Sequence, residues 1–121
     1  MDRAVKARHF QALALSALLF AAGAVQAQEV NVLTAWYGQS CGAAHGNVTA
    51  HVKSRCDGKR QCDYRVDVAA LGDAAPNCSK NFVVLYSCKG QPPVRLAQLP
   101  AEAHGRNLVL NCAVPAQPIS N

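Results

Sequence analysis

The chain opens with one long apolar run and then breaks into short ones. Phe10 to Val25 is almost wholly apolar, interrupted by Gln11 and Ser16, and follows the basic residues Arg3, Lys6, Arg8 and His9. Val25-Gln26-Ala27 then supplies the small residues a signal peptidase accepts, so the pattern predicts a cleaved export signal over residues 1–27. The run is slightly short for a membrane span and ends at a cleavage site, which argues against a retained anchor. It holds no cysteine to carry a lipid. Beyond it, Val30 to Tyr37 has β-forming residues in partial alternation and predicts a first strand. Gly38 to Gly46 is a Gly- and Ala-rich loop around Cys41. Asn47 is placed to cap a short helix. There Val48, His51, Val52 and Arg55 recur at helical spacing, with Val48 and Val52 facing the core.

Cys56 and Cys62 flank a tight loop turned at Gly58. Tyr64 to Val68 alternates and predicts a second strand or extended segment, and Ala69 to Ser79 is a turn-rich connection around Gly72, Pro76 and Asn77. Phe82 to Tyr86 carries apolar side chains on both faces, which predicts a central strand with little solvent exposure. Lys89 to Pro93 stops it. Val94 to Leu99 reads as another short strand, Pro100 to Arg106 as a loop, and Asn107 to Cys112 as a final strand. Residues 28–112 therefore form one expected domain, and 113–121 a loose tail.

Removing 27 of the 121 residues leaves 94, enough for one small domain with a thin core. All six cysteines lie in this part. An exported chain keeps its disulfides, so they read as cross-links whose pairing the spacing leaves open. The formal charge of +5 falls to 9 − 6 = +3 without the signal. Lys53, Arg55, Lys59, Arg60 and Arg65 crowd one stretch, but Asp57, Asp63 and Asp67 dilute it. The stretch reads as a solvated face, not a nucleic-acid surface. No cysteine or histidine pair has zinc-site spacing, His45, His51 and His104 are scattered, and no cofactor is expected. No Gly-x-Ser-x-Gly elbow, phosphate loop or convincing catalytic constellation is present, so the chain does not read as an enzyme. Glu29 and Glu102 stand in no motif. Asn47-Val48-Thr49 and Asn77-Cys78-Ser79 fit the N-glycosylation pattern.

Several of these segments together resemble the galactose/rhamnose-binding lectin domain of sea-urchin egg lectin type. That family has an A-x-Y-G-R turn, then V-x-x-x-C-x-G-x-x-x-C, then G-D-P-C-x-G-T-x-K-Y-L-x-V-x-Y-x-C. Ala35, Tyr37 and Gly38 match the first element, with Gln39 in place of Arg. Val52, Cys56, Gly58 and Cys62 match the second. Gly72, Asp73, Lys80, Val84, Tyr86 and Cys88 match the third, with Phe82 replacing Leu and Ala74-Ala75 replacing Pro-Cys. The family's first strand with its early cysteines is missing. The resemblance covers residues 30 to 88. It implies a small α+β domain, an antiparallel β-sheet with short helices. It also implies that Cys56 bonds Cys62, that the C-terminal strand fills the missing strand's place, and that Cys112 bonds Cys88. Cys41 and Cys78 then remain as the third pair.

The resemblance further implies a carbohydrate site. Asp73 accepts hydrogen bonds from sugar hydroxyls, Lys80 donates to them, and Tyr37 contributes from the Tyr-Gly turn, all three converging on one shallow surface. Trp36, at a variable position of the family, is a candidate exposed platform for a sugar or a protein. The expected function is a secreted or periplasmic module binding galactose- or rhamnose-type sugars of an envelope glycan. The alternative is a disulfide-braced protein-interaction or envelope structural domain that kept the fold and lost the sugar site. The loss of the Arg after Tyr-Gly and of Pro-Cys after Gly-Asp motivates it. Neither reading involves nucleic acid or, after processing, a membrane span.

Overall fold

The computed structural model describes residues 28–89 and 91–114. The expected export signal and residues 115–121 of the expected tail lie outside them. The elements are β1 (Val30–Tyr37), a 3-10 turn (Gln39–Cys41), α1 (Thr49–Cys56), β2 (Gln61–Arg65), α2 (Val68–Leu71), β3 (Phe82–Cys88), β4 (Gln91–Leu99) and β5 (Asn107–Asn111). One sheet has the order β1-β3-β4 and a second pairs β2 with β5; every pairing is antiparallel. The chain is thus a small α+β domain with two sheets where one was expected. No helix among the described residues is long and apolar enough to cross a membrane.

β3 lies between β1 and β4 and carries an unbroken apolar run, Phe82 to Tyr86, on both of its faces. Phe82, Val84, Tyr86 and Cys88 are buried, and the residues between them are half-buried. Its inner face joins one buried cluster with Val30, Val32, Ala35 and Tyr37 of β1, Val52 and Cys56 of α1, Tyr64 of β2, and Leu108 and Leu110 of β5. Three disulfides brace this thin core: Cys41–Cys78, Cys56–Cys62 and Cys88–Cys112. No described cysteine is free. The last bridge ties the end of β3 to the residue after β5 and so fastens the two sheets together. Each such link stabilises by about 2–4 kcal/mol, mainly through the unfolded chain.

Three elements differ from expectation, each for a local reason. Asn47 does not cap α1. Its amide exchanges two hydrogen bonds of 2.9 Å with the backbone N–H and C=O of Tyr37, and α1 begins at Thr49. The second strand starts at Gln61 and stops at Arg65, because the Asp67 carboxylate accepts the Ala69 N–H at 3.0 Å and turns the chain into α2. β4 includes Pro92 and Pro93, which were expected to lie before it. An edge strand tolerates proline because one side of it donates to no neighbour.

The two edges of the three-stranded sheet are unlike. The free edge of β1 is covered along its length. Asp57 accepts from Val32 N–H at 2.7 Å, Lys53 donates to Val32 C=O at 3.0 Å, Thr49 Oγ1 accepts from Ala35 N–H at 2.9 Å, and Asn47 closes Tyr37. Beyond its pairing with β3, β4 makes no backbone–backbone hydrogen bond among the described residues. The outer face of this sheet carries no charge. Trp36, Val83 and Gln98 stand in one row, Thr34, Leu85 and Leu96 in the next, and Asn31 opposes Ser87. Leu96 and Val94 are each 55% exposed, and Leu33, in the bulge of β1, is 46% exposed.

Candidate functional site

Tyr37, Asp73 and Lys80 come together, as the resemblance implies. β1 delivers Tyr37 at its end, the connection after α2 delivers Asp73, and the turn before β3 delivers Lys80. The Lys80 ammonium lies 2.8 Å from Asp73 Oδ1 and 5.5 Å from the centre of the Tyr37 ring. A shallow cleft of about 200 Å³ is lined by these three with Val68, Glu102 and His104. Gly38 makes the approach possible. Its φ of 96° is a left-handed conformation that disfavours a side chain, and a Cβ there would meet the Lys80 stem at 3.3 Å and Ala43 Cβ at 3.1 Å.

The cluster is closed on itself. An ammonium has three protons. Those of Lys80 are directed to Asp73, to Ala75 C=O at 3.2 Å and to Cys78 C=O at 3.0 Å. Lys80 is buried, at 5% exposure, although a lysine beginning a strand is ordinarily solvated. Tyr37 is 1% exposed, so its ring packs against Phe82 and offers no face to a sugar. Its hydroxyl donates to Glu102 Oε2 at 2.8 Å. Burial first, and then this bond and the charges of Glu102 and Asp73, push the phenol far above its usual range. Asp73 alone of the three is well exposed, its side chain at 47%.

Glu102 organises the cluster, and nothing in its sequence surroundings announces it. Oε1 accepts the Lys80 N–H at 2.8 Å, and Oε2 accepts both the Tyr37 hydroxyl and the His104 N–H at 2.8 Å. Partial desolvation opposes its charge, but these three donors and the Lys80 ammonium outweigh that, and its pKa is lowered to about 2. Two of its three donors are backbone groups, which any residue type supplies, so no residue pattern marks the contact. His104 in turn accepts the Val68 N–H at 3.1 Å and joins the loop after β4 to the start of α2.

Trp36 does not belong to this cleft. It follows the alternation of β1 and points to the opposite face from Tyr37. It is half-buried, not the exposed platform expected of it. Its Nε1 donates to Ala43 C=O at 3.0 Å, and the His45 ring meets it edge-on with centroids 4.4 Å apart. No group of three or more His, Cys, Asp or Glu among the described residues is disposed to hold a metal ion.

A second cleft, of about 320 Å³, opens between α1, β2 and α2 over the Tyr64 hydroxyl, with His51, Arg55, Lys59 and Arg65 on its walls. Comparison with protein-family models, with curated proteins and with solved structures finds no match to this chain.

Proposed function

We propose that the chain is an exported domain built on the frame of a galactose/rhamnose-binding lectin domain, in which the sugar site has become an internal lock. Its function is then disulfide-braced interaction with a protein of the envelope or extracellular space. The observation that carries this reading is the saturation of Lys80. A lysine whose three protons are directed to Asp73, Ala75 and Cys78 has none left for a sugar hydroxyl. Engaging a sugar would require breaking charge-assisted bonds at a buried site, each worth about 1.5–3 kcal/mol.

The surface that suits a protein is the outer face of the three-stranded sheet. An uncharged face with Leu33, Val94 and Leu96 exposed, next to the open edge of β4, fits an extended apolar segment that adds itself as a further strand. Main-chain hydrogen bonds would supply affinity, and Val94 and Leu96 would select apolar side chains. The test is a pull-down at physiological salt from envelope or culture extracts, with wild type and Leu96→Asp as parallel baits. Leu96 is exposed, so the variant folds with nearly unchanged stability. A protein held by wild type and lost from Leu96→Asp is the expected result. Capture of nothing by either bait, or capture indifferent to the substitution, contradicts the assignment.

A further inference from the structure

The second cleft carries a different chemistry. His51 and Arg55 stand one turn apart on α1 and therefore share a face. Asp63 and Arg65 occupy the exposed positions of β2, with Tyr64 buried between them. Lys59 reaches in from the turn that the Cys56–Cys62 bridge closes. Three of the five bases crowded in the sequence thus converge on one concavity, and the disulfide at its margin holds them there.

Among the described residues these cations form no ion pair. Asp63 and Asp67 line the same cleft. Yet the ion pairs among the described residues are Lys53–Asp57, Lys80–Asp73 and Lys89–Glu29, and none involves Arg55, Lys59 or Arg65. Asp67 uses one carboxylate oxygen to cap α2. The floor is fixed by a 2.7 Å hydrogen bond between the Tyr64 hydroxyl and His51 Nδ1. When the phenol donates in this bond, the neutral His51 ring carries its proton on Nε2, as a further donor. Burial of Tyr64, offset in part by Arg55, pushes its pKa up to about 12, so the phenol keeps its proton.

We propose that this cleft binds a small ligand through a single anionic group, a phosphate, sulfate or carboxylate, with Arg55, Arg65 and Lys59 as cationic donors and His51 oriented by Tyr64. Guanidinium groups recognise such planar or tetrahedral anions through paired N–H donors. A cleft of this volume admits one monosaccharide-sized body behind the anionic group. This site shares no residue with the closed cluster or with the sheet face, so it stands or falls apart from the proposed function.

The test is NMR titration of the oxidised protein with sodium phosphate, sodium sulfate, glucose 6-phosphate and glucuronate, with sodium chloride adjusted to hold ionic strength constant. Saturable shifts confined to the amides of His51, Arg55, Lys59 and Asp63 to Asp67 are expected. The inorganic arms report the anionic group alone, and the sugar-borne arms report whether the cleft also holds the body that carries it. Arg55→Ala and Arg65→Ala should each weaken binding about tenfold with the remaining spectrum unchanged. Arg55→Lys should restore part of the loss, and Lys89→Ala, outside the cleft, should leave affinity unchanged. Shifts that follow total ionic strength, that spread equally to Lys89 and Arg106, or that persist in the Arg55→Ala/Arg65→Ala double variant would overturn the proposal.

Discussion

Two polar clusters of this small domain have similar ingredients and opposite states. Around Lys80, an ammonium, two carboxylates and a buried phenol satisfy one another, and the charge is spent inside the molecule. Around Tyr64, three cations, two carboxylates and a buried phenol share a cleft without a single ion pair among the described residues. The second cluster has two more cations, but reach also separates the two. Lys80 lies under the connection that bears Asp73, Ala75 and Cys78, so its stem leads its ammonium into a ring of acceptors. Arg55 and Arg65 project from the exposed sides of α1 and β2 and Lys59 from the turn between them, while Asp67 turns one carboxylate oxygen to the cap of α2. The first cluster is closed on itself, and the second keeps Arg55, Lys59 and Arg65 outside any ion pair among the described residues.

The sharpest way to break this contrast is to remove one member from each side and compare stabilities. Lys80→Met should lose the charge-assisted bonds to two carbonyls and the pair with Asp73, costing about 2–3 kcal/mol by urea unfolding. Arg55→Ala and Arg65→Ala should each change stability by less than about 0.5 kcal/mol. Equal effects on the two sides would erase the distinction. Gly38→Ala comes next. It places a Cβ at a left-handed residue and against the Lys80 stem, for about 1–3 kcal/mol by the same measurement. An unchanged midpoint would show that the close approach of Lys80 is not required.

Glu102→Gln should cost about 1–2 kcal/mol, because a neutral amide cannot accept three hydrogen bonds as a carboxylate does. It should also change the acid response. The folded-state pKa of Glu102 lies below its ordinary value of 4.5, at about 2. Its contribution is therefore complete above about pH 4.5 and is lost as the pH falls toward about 2. Melting temperatures measured from pH 5 to pH 2 should fall less steeply in Glu102→Gln than in wild type; parallel curves would remove Glu102 from its central place. The smallest effect is expected of Asp73→Asn. That side chain is nearly half exposed, and such pairs contribute about 0–1 kcal/mol. A larger loss in thermal melting would mean that Asp73, and not Glu102, is the acid on which the lock depends.

Much of the frame was legible because strand periodicity and cysteine placement carry it. The two-sided apolar run Phe82 to Tyr86 reads as a central strand and is one. The three bridges implied by the lectin resemblance are the three that form. The convergence of Tyr37, Asp73 and Lys80 was legible by the same resemblance, but its closed state was not. Closure depends on carbonyls of Ala75 and Cys78 and on amides of Lys80 and His104, and backbone groups leave no mark in residue identity. Asn47 and Asp67 show the same limit. Either side chain is suited to cap a helix, and the choice follows from which backbone groups lie within reach: Asn47 repairs the edge of β1, and Asp67 caps α2. Trp36 looked exposed from its variable position and is half-buried, because the loop after β1 folds back to present Ala43 C=O to its indole nitrogen.

The central claim, that the cluster around Lys80 is a lock and not a sugar site, is tested most directly by following backbone amide shifts while galactose and rhamnose are added at millimolar concentrations. No saturable shift at Tyr37, Asp73, Lys80 or Glu102 is expected. Saturable shifts at these residues that Asp73→Ala abolishes without unfolding the protein would contradict it and restore the carbohydrate-binding reading.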